Sequence, residues 1–355
     1  MKILLAAPAS RDTILGPIGL YCGEALRAMG HEVEPFDFRR GRLLGSRAGG
    51  LIKKAARLFL GPSVPRPAAV SAMEGARMNR ELLAAAERFR PDVMLALLGD
   101  GITAGTLDRL RAAGTRTINW FPDSVLAPSR RVLLSEVASH YDHFFGIDSA
   151  EAFCLAGLKA RRVATLPLGC CPSVHRRMEL TSAERSEYGS ELAFVGTVKF
   201  VRAGLLAAIS DLGLGIWGNW QREEPALKGC YRDKHVFGEE AVKIYNAAKI
   251  VVDIHEHFNE DQELFNVTPR VFEVPACGAL LLTNYNPALA GLYEPGTELV
   301  CYKDAADLRE KVKYYLVRPA ERAAIAERGR LRALREHTYA LRMKKLLDAV
   351  TGKDI

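Results

Sequence analysis

At 355 residues the chain is too long for one ordinary domain and suits two of roughly 150–200 residues, each with its own core. Hydrophobic residues at 48% and charged residues at 26% exclude a disordered chain, and no apolar run reaches membrane-spanning length. The net charge of +7 suits anionic partners such as nucleotide diphosphates, acidic lipid surfaces or nucleic acid, without choosing among them. The seven cysteines are odd in number and include no CxxC pair, which argues against a disulfide framework or zinc knuckle and for a reducing compartment. The opening MKILLAA reads as a strand too short for a secretory segment, so a cytoplasmic protein is expected.

In chain order, apolar runs of strand length alternate with helical periodicity, the pattern of parallel sheets covered by helices on both faces. Lys2–Ala7 is the first strand. A Gly-Pro loop at Gly16–Gly19 leads into a helix that stops at Gly30, and His31–Phe36 is the second strand. Further strands are read at Pro91–Leu98, Thr115–Phe121, His143–Ile147 and Arg162–Leu166. The polar stretch Ser173–Ser190 breaks the rhythm. The expected organisation is therefore a first domain over 1–172, a linker over 173–190, a second domain over 191–335, and a closing helix over 336–355 that packs back on the first domain. In the second domain, strands are read at Glu191–Val195, Gly215–Trp217, Ile250–Ile254 and Ala279–Thr283. Two such sheets facing each other make a cleft, and ligands of open α/β sheets bind outside the carboxyl ends of the strands.

The most informative stretch is Asn266–Leu282, NVTPRVFEVPACGALLL. Thr268 suits a helix N-cap, Pro269 a first helical position and Gly278 the residue past the C-cap. Arg270 in the first turn and Glu273 three residues on share a face. An arginine at a helix start suits a diphosphate, and a carboxylate just beyond it can accept both hydroxyls of a ribose. An arginine–glutamate pair on a solvated face is an equal reading of the spacing.

FVGTVKFVR at Phe194–Arg202, IWGNW at Ile216–Trp220, PRVFEVPACGALLLTNY at Pro269–Tyr285, YEPGTELVCYKDAADL at Tyr293–Leu308 and HTYALRMKKLL at His337–Leu347 resemble the CgeB family of glycosyltransferases. The resemblance covers most of Glu191–Leu347 and implies a GT-B-like fold: two Rossmann-like domains, a nucleotide-sugar donor on the second and an acceptor on the first. It implies that Glu273 binds the donor ribose and Arg270 a phosphate. Gly196 and Arg202 would lie near the diphosphate, and Trp217, Gly218 and Trp220 near the base. Thr197 and Lys199 are further donor-side candidates, and Lys199 equally suits a loop charge. The better-known paired-glutamate pattern wants a second carboxylate eight positions before Glu273, where this chain has Phe265.

Other donor-side candidates are His255, Asn266 and Thr268. His255 also admits a metal site with His257 and the acids Glu256, Glu260, Asp261 and Glu263, but no tetrahedral set is evident, and neither metal nor cofactor is expected. On the first domain, Gly16, Pro17 and Gly19 form a weak phosphate- or acceptor-loop signal, and Gly169 is a backbone candidate. Asp123 is the first candidate for a general base and Asp100 the second; either also suits a helix N-cap. The acid-free segment Arg39–Arg66 suits a basic helix on an anionic membrane, and equally a solvated loop or a helix packed on its own domain. Together these predict transfer of a sugar from a nucleotide diphosphate sugar, UDP-linked by expectation, to a saccharide, protein or lipid-linked acceptor. A nucleotide-sugar epimerase and a non-catalytic sugar-nucleotide-binding assembly protein are the rivals. No nucleic-acid motif occurs.

Overall fold

The computed structural model describes residues 1–8, 15–39, 68–123, 125, 128–220, 224–232, 234–255 and 267–352. The basic stretch beyond Arg39 (40–67) and the acid-rich stretch 256–266, which holds His257 and Asn266, lie outside the described residues. The chain divides into two units, one of Met1–Leu166 with Val350–Lys353 and one comprising Pro167–Ala349.

The first unit runs β1 (Lys2–Ala6), α1 (Leu15–Ala28), β2 (Glu32–Phe36), α2 (Ala68–Phe89), β3 (Val93–Leu97), α3 (Ala104–Ala112), β4 (Arg116–Trp120), α4 (Pro128–Val137), β5 (His143–Gly146), α5 (Ser149–Gly157) and β6 (Val163–Thr165). Its strands form one sheet in the order β2-β1-β3-β4-β5-β6, parallel throughout. β3, VMLAL, is apolar and buried at every position, because helices cover both faces of a parallel sheet and leave no wet side for alternation. Ala6, Ala96, Leu82 and Phe144 belong to one core here.

The second unit runs α6 (Ser182–Tyr188), β7 (Ser190–Val195), α7 (Phe200–Ala207), β8 (Leu214–Trp217), α8 (Glu239–Ala247), β9 (Ala248–Asp253), α9 (Arg270–Ala276), β10 (Leu281–Asn284), β11 (Val300–Tyr302), α10 (Ala305–Leu316), α11 (Pro319–Glu336) and α12 (Tyr339–Thr351). Its parallel sheet has the order β11-β10-β9-β7-β8. The chain winds outward from β7 to β8, then returns to place β9 on the other side of β7. The β7/β9 boundary is therefore the topological switch point, where connections leave in opposite directions and open a crevice at the strands' carboxyl ends.

Two glycine positions change their meaning. Gly16, Pro17 and Gly19 are not a loop: they lie within α1. A Cβ at Gly19 would come 2.8 Å from Ala7 Cβ, so that glycine is needed for the close approach of α1 to the end of β1. Gly169 packs against the chain: a Cβ there would lie 2.7 Å from the His337 carbonyl oxygen. Around it, Cys170 N–H donates to His337 O at 2.8 Å and Tyr339 N–H to Cys170 O at 2.9 Å. The buried Arg342 of α12 completes this joint. Its Nε donates to the carbonyls of Pro167 (2.8 Å) and Leu168 (3.0 Å), and its Nη1 to that of Glu336 (3.0 Å). Between these regions, the polar stretch 173–190 belongs to the second unit and contains α6, started by a reciprocal capping box of Thr181 and Glu184.

The Gly19→Ala substitution should lower stability by about 1–3 kcal/mol, because α1 must lift off β1 to admit the methyl group. Urea denaturation of the variant checks this, with a wild-type midpoint counting against the close approach.

Candidate active site

At the carboxyl end of β9 stands Asp253, fully buried. A lone carboxylate there would be costly, and the chain surrounds it with donors. Arg270 Nε donates to Oδ1 at 2.5 Å, Thr268 Oγ1 donates to Oδ2 at 2.6 Å, and His255 Nδ1 lies 3.7 Å from Oδ2. Burial works to raise the Asp253 pKa, but Arg270, His255 and Thr268 outweigh it and hold the carboxyl well below the usual carboxylate range. Thr268 is thus not the N-cap of α9. That place falls to Pro269, and the threonine hydroxyl points at Asp253 because a buried carboxylate is the stronger acceptor.

The other strand ends converge on the same point. Gly196 follows β7 and Gly218 follows β8, with φ of +156° and +132°. A Cβ at Gly218 would sit 2.3 Å from the Gly196 carbonyl oxygen, and one at Gly196 would sit 3.3 Å from Arg270 Nη1. Both positions therefore require glycine, and the second leaves room beside the guanidinium. Phe194, the residue before the end of β7, carries two guanidinium groups: Arg270 at 5.9 Å and Arg202 at 5.8 Å from its ring centroid. Arg202 also donates Nη1 to Thr197 O (2.8 Å) and Nε to Ile254 O (3.1 Å), tying the turn after β7 to the end of β9. Lys199, partly buried, occupies the N-cap position of α7.

Three aromatic or imidazole candidates separate by burial. Trp217 is 1% exposed and is a packing residue, with Arg232 5.9 Å from its ring. Trp220 is 45% exposed and packs at a tilt against Tyr231, 4.3 Å between centroids. His255 is 1% exposed. Its Nε2 shares a hydrogen bond with Thr283 Oγ1 at 3.0 Å and its main-chain N–H donates to Asn284 Oδ1 at 2.7 Å, so it belongs to the floor of the site.

Glu273 lies one turn beyond Arg270 on α9, with 19% of its side chain exposed. Burial pushes its pKa up to about 7, against the partial opposition of Arg270 and a hydrogen bond with the Tyr245 hydroxyl. His175 Nε2 faces Glu273 Oε1 at 3.7 Å. Burial lowers the His175 pKa to about 3, so this is a contact with a neutral ring and not an ion pair. Cys171 N–H donates to His175 Nδ1 at 2.9 Å, which leaves the ring proton on Nε2, toward the carboxyl group. The solvated arginine–glutamate pair that spacing allowed is not what forms: Arg270 turns to Asp253, and Glu273 is largely buried.

On the first unit, Asp100 lies three residues past Leu97 of β3 and Asp123 three past Trp120 of the neighbouring β4. One residue of α4 holds both. Arg130 Nη1 is 2.8 Å from Asp100 Oδ1 and Nη2 is 3.4 Å from Asp123 Oδ2, while Arg39 Nη2 approaches Asp100 at 3.7 Å. Asp123 is the more open, 45% exposed against 23%. Asp100 is not the N-cap of α3, which is Thr103. Asp253, His175, Tyr245 and Arg130 escaped the sequence reading. Of these only Asp253, an acid closing an apolar strand, had a signal. Among the described residues no group of three His, Cys, Asp or Glu side chains is arranged to hold a metal ion, and no helix is long and apolar enough to cross a membrane.

Residues 201–348 match the family model described as glycosyl transferase-like. The chain is 26% identical over 262 residues to the spore protein CgeB of Bacillus subtilis (strain 168), covering 69% of this chain and 78% of that protein. Two solved structures share the fold. Sucrose-phosphate synthase from Thermosynechococcus elongatus has a TM-score of 0.65 at 15% identity, with 100% of both chains covered. Anabaena HepE in complex with UDP-glucose has a TM-score of 0.64 at 12% identity, covering 99% of this chain and 100% of that one. The two parallel-sheet Rossmann-like units have the GT-B fold that these solved structures share. The chain is similar to the glycosyl transferase-like family within its second unit, and to CgeB over 69% of its length.

The raised pKa of Glu273 has a consequence for stability. Folding favours its protonated form, so its cost is absent below the ordinary value of 4.5 and fully present above about pH 7. That cost is about 3 kcal/mol at most. Glu273→Gln should therefore gain stability relative to wild type as pH rises from 5 to 8. Melting curves of both proteins across that range check it, and parallel curves would refute a buried, hard-to-ionise carboxyl group.

Proposed function

We propose that the chain transfers a sugar from a nucleotide diphosphate sugar, UDP-linked, to a saccharide, protein or lipid-linked acceptor, with no divalent metal. The observation that carries this reading is the pairing of a glycine-only turn at the β7/β9 switch point with Arg270 and Glu273 on α9. In it, the donor diphosphate lies along the turn Gly196–Thr197, with Arg270 Nη groups and Lys199 offsetting the charge of the leaving diphosphate. Arg202 holds that turn in place through its bonds to Thr197 and Ile254. The ribose hydroxyls donate to Glu273, which must ionise to accept both fully, and the base lies toward Trp220. HepE, which shares the fold, binds UDP-glucose, and this supports a uridine donor.

In the same reading Asp123 takes the acceptor proton, since it is the more open of the two strand-end carboxylates and shares its arginine with Asp100. Asp100 then serves to hold Arg130, and through it the position of Asp123. Asp123→Asn should lower turnover roughly 10²–10⁴-fold while leaving UDP affinity unchanged. A near-wild-type rate in a folded variant removes Asp123 from the chemistry. Activity should also survive EDTA; its loss with EDTA and return with Mn²⁺ or Mg²⁺ would overturn metal independence.

Calorimetric titration of UDP and uridine decides the donor site. Glu273→Gln should weaken both ligands about 10- to 150-fold, the worth of hydrogen bonds to a charged group. Wild-type uridine affinity should rise between pH 6 and 8, and that rise should vanish in the variant. Arg270→Lys keeps a cation beside Asp253 but loses the fork, and should weaken UDP much more than uridine. Unchanged UDP affinity in both variants would take the donor away from α9.

A further inference from the structure

The first unit carries a second cluster of charge, at the opposite end of its sheet from Asp100 and Asp123. Arg116 is the first residue of β4 and His143 the first of β5, while Arg161 and Arg162 immediately precede β6. With Arg111 on α3 and Val350–Gly352, these residues line a cavity of about 610 Å³. That volume is in the range of small-molecule sites.

Among the described residues the charge lining this cavity is unbalanced: four arginines and one carboxylate, Asp142. Asp142 is taken by Arg111, whose Nε lies 2.9 Å from Oδ1. Of the other three, two donate to backbone carbonyls and one lies against His143. Arg116 Nη1 donates to the Val350 carbonyl, Arg161 Nε donates to Ser139 O at 2.9 Å, and Arg162 Nη1 lies 3.5 Å from His143 Nε2. Among the described residues none of these three has a carboxylate within ion-pair distance. Three guanidinium groups facing one cavity repel each other, and an anion between them removes that repulsion and accepts from several planar forks at once. The lining offers no phenyl, phenol or indole face for a nucleobase, which turns the ligand away from nucleotides.

We propose that this cavity is a second anion site, distinct from the donor site, for a non-nucleotide compound carrying two or more phosphate groups. The same chemistry is presented by a soluble phosphorylated sugar or polyphosphate and by a phosphorylated lipid headgroup.

Tripolyphosphate and fructose 1,6-bisphosphate, titrated by calorimetry into the full chain at low salt with saturating UDP present, test the site. Both should bind, and Arg161→Ala/Arg162→Ala should weaken them at least 10-fold with UDP affinity unchanged. Both side chains are exposed, so the variant should fold, and its melting temperature checks that. The double variant Arg318→Ala/Arg328→Ala removes the same charge from exposed positions on the second unit and should bind like wild type. Equal weakening in both double variants would reduce the effect to overall charge and overturn the site. So would unchanged affinity in Arg161→Ala/Arg162→Ala, or no binding of either compound once UDP is saturating. Sedimentation with phosphatidylcholine vesicles containing phosphatidylinositol 4,5-bisphosphate separates the two sources. Co-sedimentation lost in Arg161→Ala/Arg162→Ala supports the site with a lipid occupant. Soluble binding without co-sedimentation supports it with a free one.

Discussion

The organisation of the second unit depends on one buried ion pair, Asp253 with Arg270. An isolated carboxylate in that position would not stay ionised, and an isolated guanidinium would not stay buried. Each is tolerable only because the other is present with correct geometry. The pair joins the end of β9 to the start of α9 and brings Thr268 with it. Breaking it from either side leaves an uncompensated buried charge.

That pair also decides how the neighbouring groups behave. With Arg270 Nε committed to Asp253, Glu273 keeps only a partial charge interaction with Arg270, a hydrogen bond with Tyr245 and a neutral His175 beside it. Its carboxyl group is therefore poorly stabilised when ionised, and a ligand presenting two hydroxyl donors would supply what the protein withholds. Phe194 lets two arginines approach one point, because an aromatic face accepts cations without neutralising them. The site keeps its positive character while its strongest donor is already engaged.

The first unit applies the same economy at both ends of its sheet. At the carboxyl ends of β3 and β4, Arg130 spans two aspartates and fixes their spacing. At the amino ends of β4, β5 and β6, arginines outnumber acids. A parallel sheet places every strand's carboxyl end on one edge, so residues distant in sequence gather there by topology alone. At the carboxyl ends arginines and aspartates are matched, while among the described residues at the amino ends the arginines are in excess.

Much of this was legible in the sequence. Unbroken apolar runs such as VMLAL, alternating with helical periods, specify buried parallel strands with crossover helices, since no other layer arrangement buries both faces. Gly196, Arg270, Glu273 and the acids past β3 and β4 were found because strand ends, glycine turns and i,i+3 spacing are local properties of the chain. Pairing is not local. Asp253 and Arg270 stand 17 positions apart, and Asp100 and Arg130 stand 30 apart, so which cation meets which carboxylate was settled only when the sheets assembled. Burial was likewise hidden: Trp217 and Trp220 look alike in sequence, yet one faces the core and the other solvent. Gly16 and Gly19 read as a loop because glycine and proline usually break helices. The reason for Gly19 was Ala7, a contact that exists only after α1 has folded back over β1. The sequence by itself determined the layers and the strand-end residues, through short-range sterics and hydrophobic periodicity. Tertiary structure decided the partners, because charge pairing and close packing depend on distances that chain order does not contain.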